Sequence, residues 1–189
     1  DAAAAEHVAA ELRGAAVALA ADTTVESEVD AALDAFAAAT GRPAPTGLVA
    51  NAGIVRFGPL GTVSIDDWRA VVDVNLTGTF HCLQAAVPDM LAGGWGRIVT
   101  ISSSSAQSGA ARMGHYGASK GGVIAPTRPL AVEYAAKGIT VNTIPPGFID
   151  TPMLRASADA GFLGSGVEEH ERTTPVRRGG KPEDIAAAC

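Results

Sequence analysis

Tyr116-Gly117-Ala118-Ser119-Lys120 holds the residues of this chain best suited to do chemistry. A tyrosine and a lysine four apart on a helix lie on one face, which brings the ammonium near the phenol. A positive charge there favours phenolate and draws the tyrosine pKa down from about 10 toward working pH. A phenol tuned in this way gives or takes a proton as a general acid or base. Ser103 stands thirteen residues before the tyrosine. A hydroxyl brought alongside can hold a substrate oxygen, and the three groups together suit the interconversion of a carbonyl and an alcohol. The Tyr-x-x-x-Lys spacing alone is weak evidence, because any helix can carry it with the ring packed and the lysine solvated. The surrounding elements must decide.

Those elements alternate. Residues 2–12 are strong helix formers, and residues 15–20 are a short apolar run fit for a buried strand. Asp22-Thr23-Thr24 reads as a turn and 25–39 as a helix, with Val29, Leu33 and Phe36 spaced for one face. A loop with two prolines, 41–46, precedes a second strand at 47–50, which closes on Asn51-Ala52-Gly53. Ser64-Ile65-Asp66-Asp67 carries a helix-start signature, and apolar periodicity then runs to about Leu91. Residues 97–102 form the third expected strand, 116–136 a helix, 139–144 a fourth strand and 145–147 a sharp loop. Continuously apolar strands alternating with helices predict an α/β fold with a parallel sheet and helices on both faces. Ligands of such sheets bind at the carboxyl ends of the strands, where Asn51, Ser103, Pro146 and Gly147 fall.

Totals narrow the function classes. The chain has 189 residues, the size of one domain, so 1–189 is read as a single unit. A net charge of −6 gives no basic footprint for nucleic acid or an anionic membrane. Cys82 and Cys189 make neither a disulfide framework nor a metal cluster. No apolar run is long enough for a membrane span and no signal peptide is visible, so a cytoplasmic location is expected. Both ends look cut: Asp1 opens inside a helical pattern, and the chain stops at Cys189 in another.

Several motifs in order now resemble the short-chain dehydrogenase/reductase family: Ala50-Asn51-Ala52-Gly53, Asn75-Leu76-Thr77-Gly78, and residues 96–103 (GRIVTISS). Tyr116 to Lys120, residues 141–147 (VNTIPPG) and Thr151-Pro152-Met153 extend the match over essentially the whole chain. The resemblance implies a Rossmann-like, doubly wound sheet and an NAD(P)-dependent oxidoreductase acting on a secondary alcohol or ketone. It implies Tyr116 as the acid/base, Lys120 lowering its pKa and holding the nicotinamide ribose, and Ser103 polarising the carbonyl in preference to Ser102, Ser104 or Ser105. Asn75 would be the fourth member, on a kinked helix that holds a water for proton relay. Asp22 and Thr23 would contact the adenine, Asn51, Ala52 and Gly53 would line the adenosine ribose, and Pro146, Gly147, Ile149 and Thr151 would hold the carboxamide. Glycine at 147 suits a backbone that must approach a flat ring. The implied partners are a small, fairly apolar substrate and further copies of the chain in a dimer or tetramer.

The departures concern the cofactor's phosphates. No glycine-rich turn precedes a helix, Gly14 stands alone, and the strand end that selects NAD or NADP is missing. Asp1 reads as a helix-start carboxylate rather than as that selector. Residues 180–184 match the start of the family's penultimate helix, and its final strand is absent. Pro126 and Pro129 predict a kink in the helix after Tyr116, in an element that packs in the subunit interface of relatives. His115 reads as a shaper of the substrate entrance rather than a proton shuttle. His7, His81 and His170 share no ligand spacing, Cys82 reads as a core thiol, and residues 168–172 read as a solvated charged face. Arg112, Met113 and a lid over residues 153–166 are the expected substrate walls. Two other readings stand against the oxidoreductase. One is a non-catalytic relative that keeps the sheet as a binding or assembly protein. The other is a hydrolase using Ser103, which lacks the Gly-x-Ser-x-Gly elbow.

Overall fold

Continuous apolar runs become three parallel strands in a computed structural model of the chain, which describes residues 2–12, 16–42, 45–162 and 166–189. Helices α1 (Ala2–Glu11) and α2 (Glu26–Thr40) precede strand β1 (Gly47–Ala50). From β1 the chain passes through α3 (Ile65–Val72), a π-helical turn (Asp73–Thr77) and α4 (Gly78–Gly93) to β2 (Gly96–Ile101). It returns through the short α5 (Ser105–Ser108), α6 (Gly114–Ile124) and α7 (Thr127–Tyr134) to β3 (Ile139–Ile144). Helices α8 (Pro152–Asp159), α9 (Gly166–Thr173) and α10 (Pro182–Ala186) follow.

The strands lie in the order β1-β2-β3, all parallel, with Leu48, Ile98 and Val141 in one cross-strand row and Ala50, Thr100 and Thr143 in another. Parallel neighbours need a crossover between them, and α3–α4 and α6–α7 supply the two crossovers here. Leu83, Ala86, Val87 and Met90 of α4 close over Ile98, Ile139 and Val141, with Leu130, Ala131 and Tyr134 of α7 on the same cluster. Each aliphatic side chain buried in this way contributes roughly 1.5–3 kcal/mol.

Two breaks in the helices have local causes. Asp73–Thr77 takes the wider π winding between α3 and α4 and carries Asn75 inward, fully buried. Such turns recur at functional sites. The expected kink beyond Tyr116 falls between α6 and α7, where Pro126 becomes the residue capping α7 and Pro129 sits in its first turn. Neither proline then removes an intrahelical bond, because first-turn amides have no partner inside the helix. Ser64 starts α3 as its sequence signature predicts, its hydroxyl accepting from the Asp67 amide at 3.0 Å.

One expected strand is corrected. Ala15 lies outside the described residues, and 16–20 form no ladder. Apolar composition makes a strand only where a neighbour takes its amides and carbonyls, and no described strand lies alongside 16–20. Val17 and Leu19 are exposed. Asp1, Gly14, Pro43 and the 163–165 stretch of the expected lid also lie outside the described residues.

Candidate active site

The parallel strands end level, so three loops meet at their carboxyl ends: 51–53 after β1, 102–105 after β2 and 145–147 after β3. Pairing continues past the last two strands. The Ser102 amide donates to the Ile144 carbonyl at 2.8 Å and the Ser104 amide to the Pro146 carbonyl at 2.9 Å. This pins the serine run against the 145–147 loop. Within the run the hydroxyls divide their tasks. Buried Ser102 donates to the Lys120 carbonyl at 2.8 Å, a structural bond. Ser103 shares a hydrogen bond with Ser105 at 2.8 Å, and its hydroxyl lies close enough to the Tyr116 phenol to draw its pKa down.

Asn75 ties these loops to α6. Its Oδ1 accepts from the Ile54 amide at 2.8 Å, and its Nδ2 donates to the Ile54 carbonyl and to Ser119 Oγ, each at 3.0 Å. Ser119 in turn donates to the Tyr116 carbonyl at 2.8 Å. The Asn75 carbonyl accepts from the Thr79 hydroxyl at 2.8 Å. Gly53 is the junction: a Cβ there would lie 3.2 Å from both Asn75 Oδ1 and Lys120 Nζ. The expected residues therefore gather at the strand ends, Ser103 near the phenol, Asn75 through Ser119 on the backbone beneath it, and Lys120 beside Asn75 across Gly53.

The charge states differ from expectation. The Lys120 ammonium donates to the Ile101 carbonyl at 2.9 Å rather than to the phenol. Burial lowers its pKa to about 8. Burial also pushes the Tyr116 phenol above its ordinary value, against a smaller downward pull from the Ser103 hydroxyl. The expectation that Lys120 draws the phenol down is thus corrected: desolvation of a half-buried ring outweighs a cation whose proton is aimed elsewhere.

The residues expected at the cofactor occupy two groups. Asp22 folds into a turn, its Oδ1 accepting from the Thr24 amide at 2.9 Å and the Thr24 hydroxyl at 2.8 Å, and these bonds hold its carboxyl below the usual range. Thr23 docks on the start of α4, where its carbonyl accepts from His81 Nδ1 at 2.9 Å and a Cβ on Gly78 would come within 2.6 Å of its hydroxyl. Asn51 and Ala52 lie exposed at the end of β1. Ile149 is engaged in a parallel bridge with Gly180, and Thr151 caps α8 by accepting from the Leu154 amide at 3.2 Å. Exposed Gly147 leaves open space: a Cβ there would meet only Ser104 Oγ, at 3.8 Å. The short side chains at these strand ends fit the ribose and flat ring of a nicotinamide.

A cavity of about 770 Å³ opens between the loop after β1, the approach to α6 and helix α8, and neither Tyr116 nor Ser103 lines it. His115, the neighbour of Tyr116, is part of its wall and is buried. Phe57 and Phe162 stack across it with ring centroids 4.6 Å apart, joining the β1 loop to the segment after α8. Among the described residues no group of acidic, histidine or cysteine side chains is arranged for a metal. Likewise, no described helix is long and apolar enough to cross a membrane.

Comparison with known proteins now bears on this geometry. A family model described as "Enoyl-(Acyl carrier protein) reductase" matches residues 1–189. The chain is 40% identical over 196 residues to an "Inactive 2-(S)-hydroxypropyl-CoM dehydrogenase 2" of Xanthobacter autotrophicus, covering 100% of this chain and 82% of that one. It belongs to the short-chain dehydrogenase/reductase family. A family member from Cupriavidus necator, an acetoacetyl-CoA reductase, is 40% identical over 142 residues, 75% of this chain and 56% of that one. A solved member is the gluconate 5-dehydrogenase of Burkholderia cenocepacia in complex with NADP and tartrate. It superposes with a TM-score of 0.79 at 34% identity, over 88% of this chain and 64% of that one. The chain thus spans little more than half the length of the Cupriavidus relative.

Within this short-chain dehydrogenase/reductase frame, sequence reading passed over three features. Ser119 has no role in the motif as read from sequence, yet it is fully buried and bridges Asn75 to Tyr116. Its place one residue before Lys120 was the available signal. The Phe57–Phe162 stack and the pairing of Arg56 with Asp67 join residues far apart in the chain and carry no local signature.

Proposed function

We propose that the chain is an NAD(P)-dependent oxidoreductase interconverting a secondary alcohol and a ketone. The observation that carries this reading is the convergence at the strand ends of Asn75, through Ser119, on the Tyr116 backbone, with Lys120 buried one helical turn along. When bound, a nicotinamide dinucleotide supplies or accepts the pair of electrons. Lys120, Pro146, Gly147, Ile149 and Thr151 would hold its nicotinamide half, and Asp22, Thr23, Asn51, Ala52 and Gly53 its adenosine half. Ser103 donates a hydrogen bond to the substrate oxygen and orients it. Tyr116 gives that oxygen a proton in reduction and takes it in oxidation. Burial raises the phenol's pKa, so at neutral pH Tyr116 is in its protonated, donating form. Asn75 holds the backbone beneath the tyrosine through Ser119 and, with a water, relays protons.

Support comes from the relatives, which are named as dehydrogenases and reductases, one of them with NADP bound. Tyr116→Phe removes the proton carrier and keeps the ring. Turnover of ketones with NADH or NADPH should fall by at least about a thousandfold, with circular dichroism and melting unchanged. Retained turnover removes the reading. A second reading, a non-catalytic binding protein on the same sheet, is favoured by the Xanthobacter relative, which is named inactive. Titrating NADH and NADPH onto the protein separates the two, since absence of binding supports the second. A cytoplasmic setting, suited to the free thiols of Cys82 and Cys189, and a homo-oligomer of two or four chains complete the proposal.

A further inference from the structure

The cavity walled in part by His115 carries a charge that the proposed reaction does not use. Its ionisable lining residues are Arg56, Asp67, Arg112 and His115. Arg56 pairs with Asp67, which also accepts from the Ser64 hydroxyl at 2.7 Å, so those two charges offset one another. Arg112 has no carboxylate partner among the described residues, and its guanidinium lies 5.2 Å from the centre of the Phe162 ring.

Its backbone is held in a conformation side chains resist. Arg112 has φ of 65°, and its carbonyl accepts from the Gly58 amide at 2.9 Å. A non-glycine residue stays in that region only where its surroundings over-determine it, a situation that clusters at ligand clamps. The cavity wall also holds an unsatisfied buried group: His115 is 1% exposed, and its Nδ1 has no hydrogen-bond partner. Buried polar atoms without partners are rare.

We propose that this cavity takes an organic acid, a carboxylate or sulfonate on an apolar body. Arg112 holds the acid group in a forked, charge-assisted pair, and the body lies against Phe57, Val63, Met153 and Phe162. The reacting carbon of the same molecule is directed toward Tyr116. This inference rests on the oxidoreductase reading for its reacting end, whereas the acid subsite stands on the cavity alone.

The test is calorimetric titration of cyclohexanecarboxylate and of its neutral isostere cyclohexanecarboxamide onto the full chain, with and without NADPH. The carboxylate should bind at least tenfold more tightly. Arg112→Gln should remove that preference and leave amide binding unchanged, while Arg112→Lys should restore part of it. Equal affinity for the two probes, binding of neither, or a preference that survives Arg112→Gln overturns the proposal. Melting curves establish that the variants are folded. A carboxylate preference in a protein that turns over no alcohol or ketone would keep the acid subsite and remove the oxidoreductase reading. Turnover of neutral ketones without carboxylate preference would do the reverse.

Discussion

Burial governs the charge of the Tyr116–Lys120 pair, and it acts on the two residues in opposite senses. A phenol leaving water holds its proton more firmly, and an ammonium leaving water releases its proton more readily. With Lys120 near 8 in the fold and about 10.5 unfolded, the unfolded chain binds the extra proton between those values. Stability contributed by this residue therefore rises with pH from about 8 to 10, by at most roughly 1.4 kcal/mol per pH unit. Tyr116 and Cys82, both raised by burial, act in the opposite sense near the top of that window. Comparing wild type with Lys120→Met isolates the lysine. In urea denaturation at pH 7.5, 9 and 10, wild type should gain on the variant by about 1 kcal/mol per unit. A difference that does not vary with pH would show that Lys120 is not the proton-releasing group. The Tyr-x-x-x-Lys spacing was legible in the sequence because it depends on helical geometry alone. The direction of the two shifts was not, because desolvation depends on what the rest of the chain packs around them.

At the scale of elements, the site depends on close joints between loops and helices. Gly53 joins the end of β1 to the π turn and to α6, with Asn75 Oδ1 and Lys120 Nζ each 3.2 Å from where a Cβ would stand. Gly53→Ala must displace one of those atoms by a few tenths of an ångström. Overpacking of this kind costs about 1–3 kcal/mol, and a misplaced proton-handling group lowers turnover by roughly tenfold or more. Melting temperature and kcat measured together check this. A variant with wild-type kcat would mean that Lys120 and Asn75 tolerate the shift. The loop sequence Ala50-Asn51-Ala52-Gly53 was recognised from its order with other motifs. That its glycine separates a buried amide from a buried ammonium became visible only with α6 and the π turn in place. The proline break shows the converse. Pro126 and Pro129 announced a kink from their chemistry alone, and the structure placed both where the helix lacks a bond to lose.

For the molecule as a whole, the sheet and its covering helices set the stability on which the site rests. Ile98, 1% exposed, lies under α4 in the central strand, whereas Val132 of α7 is 83% exposed. Ile98→Ala should cost about 2–5 kcal/mol, and Val132→Ala should stay within about 0.5 kcal/mol, as read by chemical denaturation. Equal effects would contradict this placement of the core. The order of strands and helices was legible by itself: 47–50 and 139–144 are strands with the expected limits, and Ser64 starts a helix. Alternating buried strands and helices admit few arrangements other than a parallel sheet, and motifs in order along such a chain identify the family. The run 15–20 shows where local reading ends, since apolar residues become a strand only beside a partner. Tertiary structure alone decided that Ser119 bridges Asn75 to Tyr116, that burial raises the pKa of the phenol, and that Arg112 lines a cavity with no carboxylate partner among the described residues. Each depends on neighbours brought from distant parts of the chain, and hydrogen bonding, desolvation and charge balance are properties of those neighbours rather than of the residue.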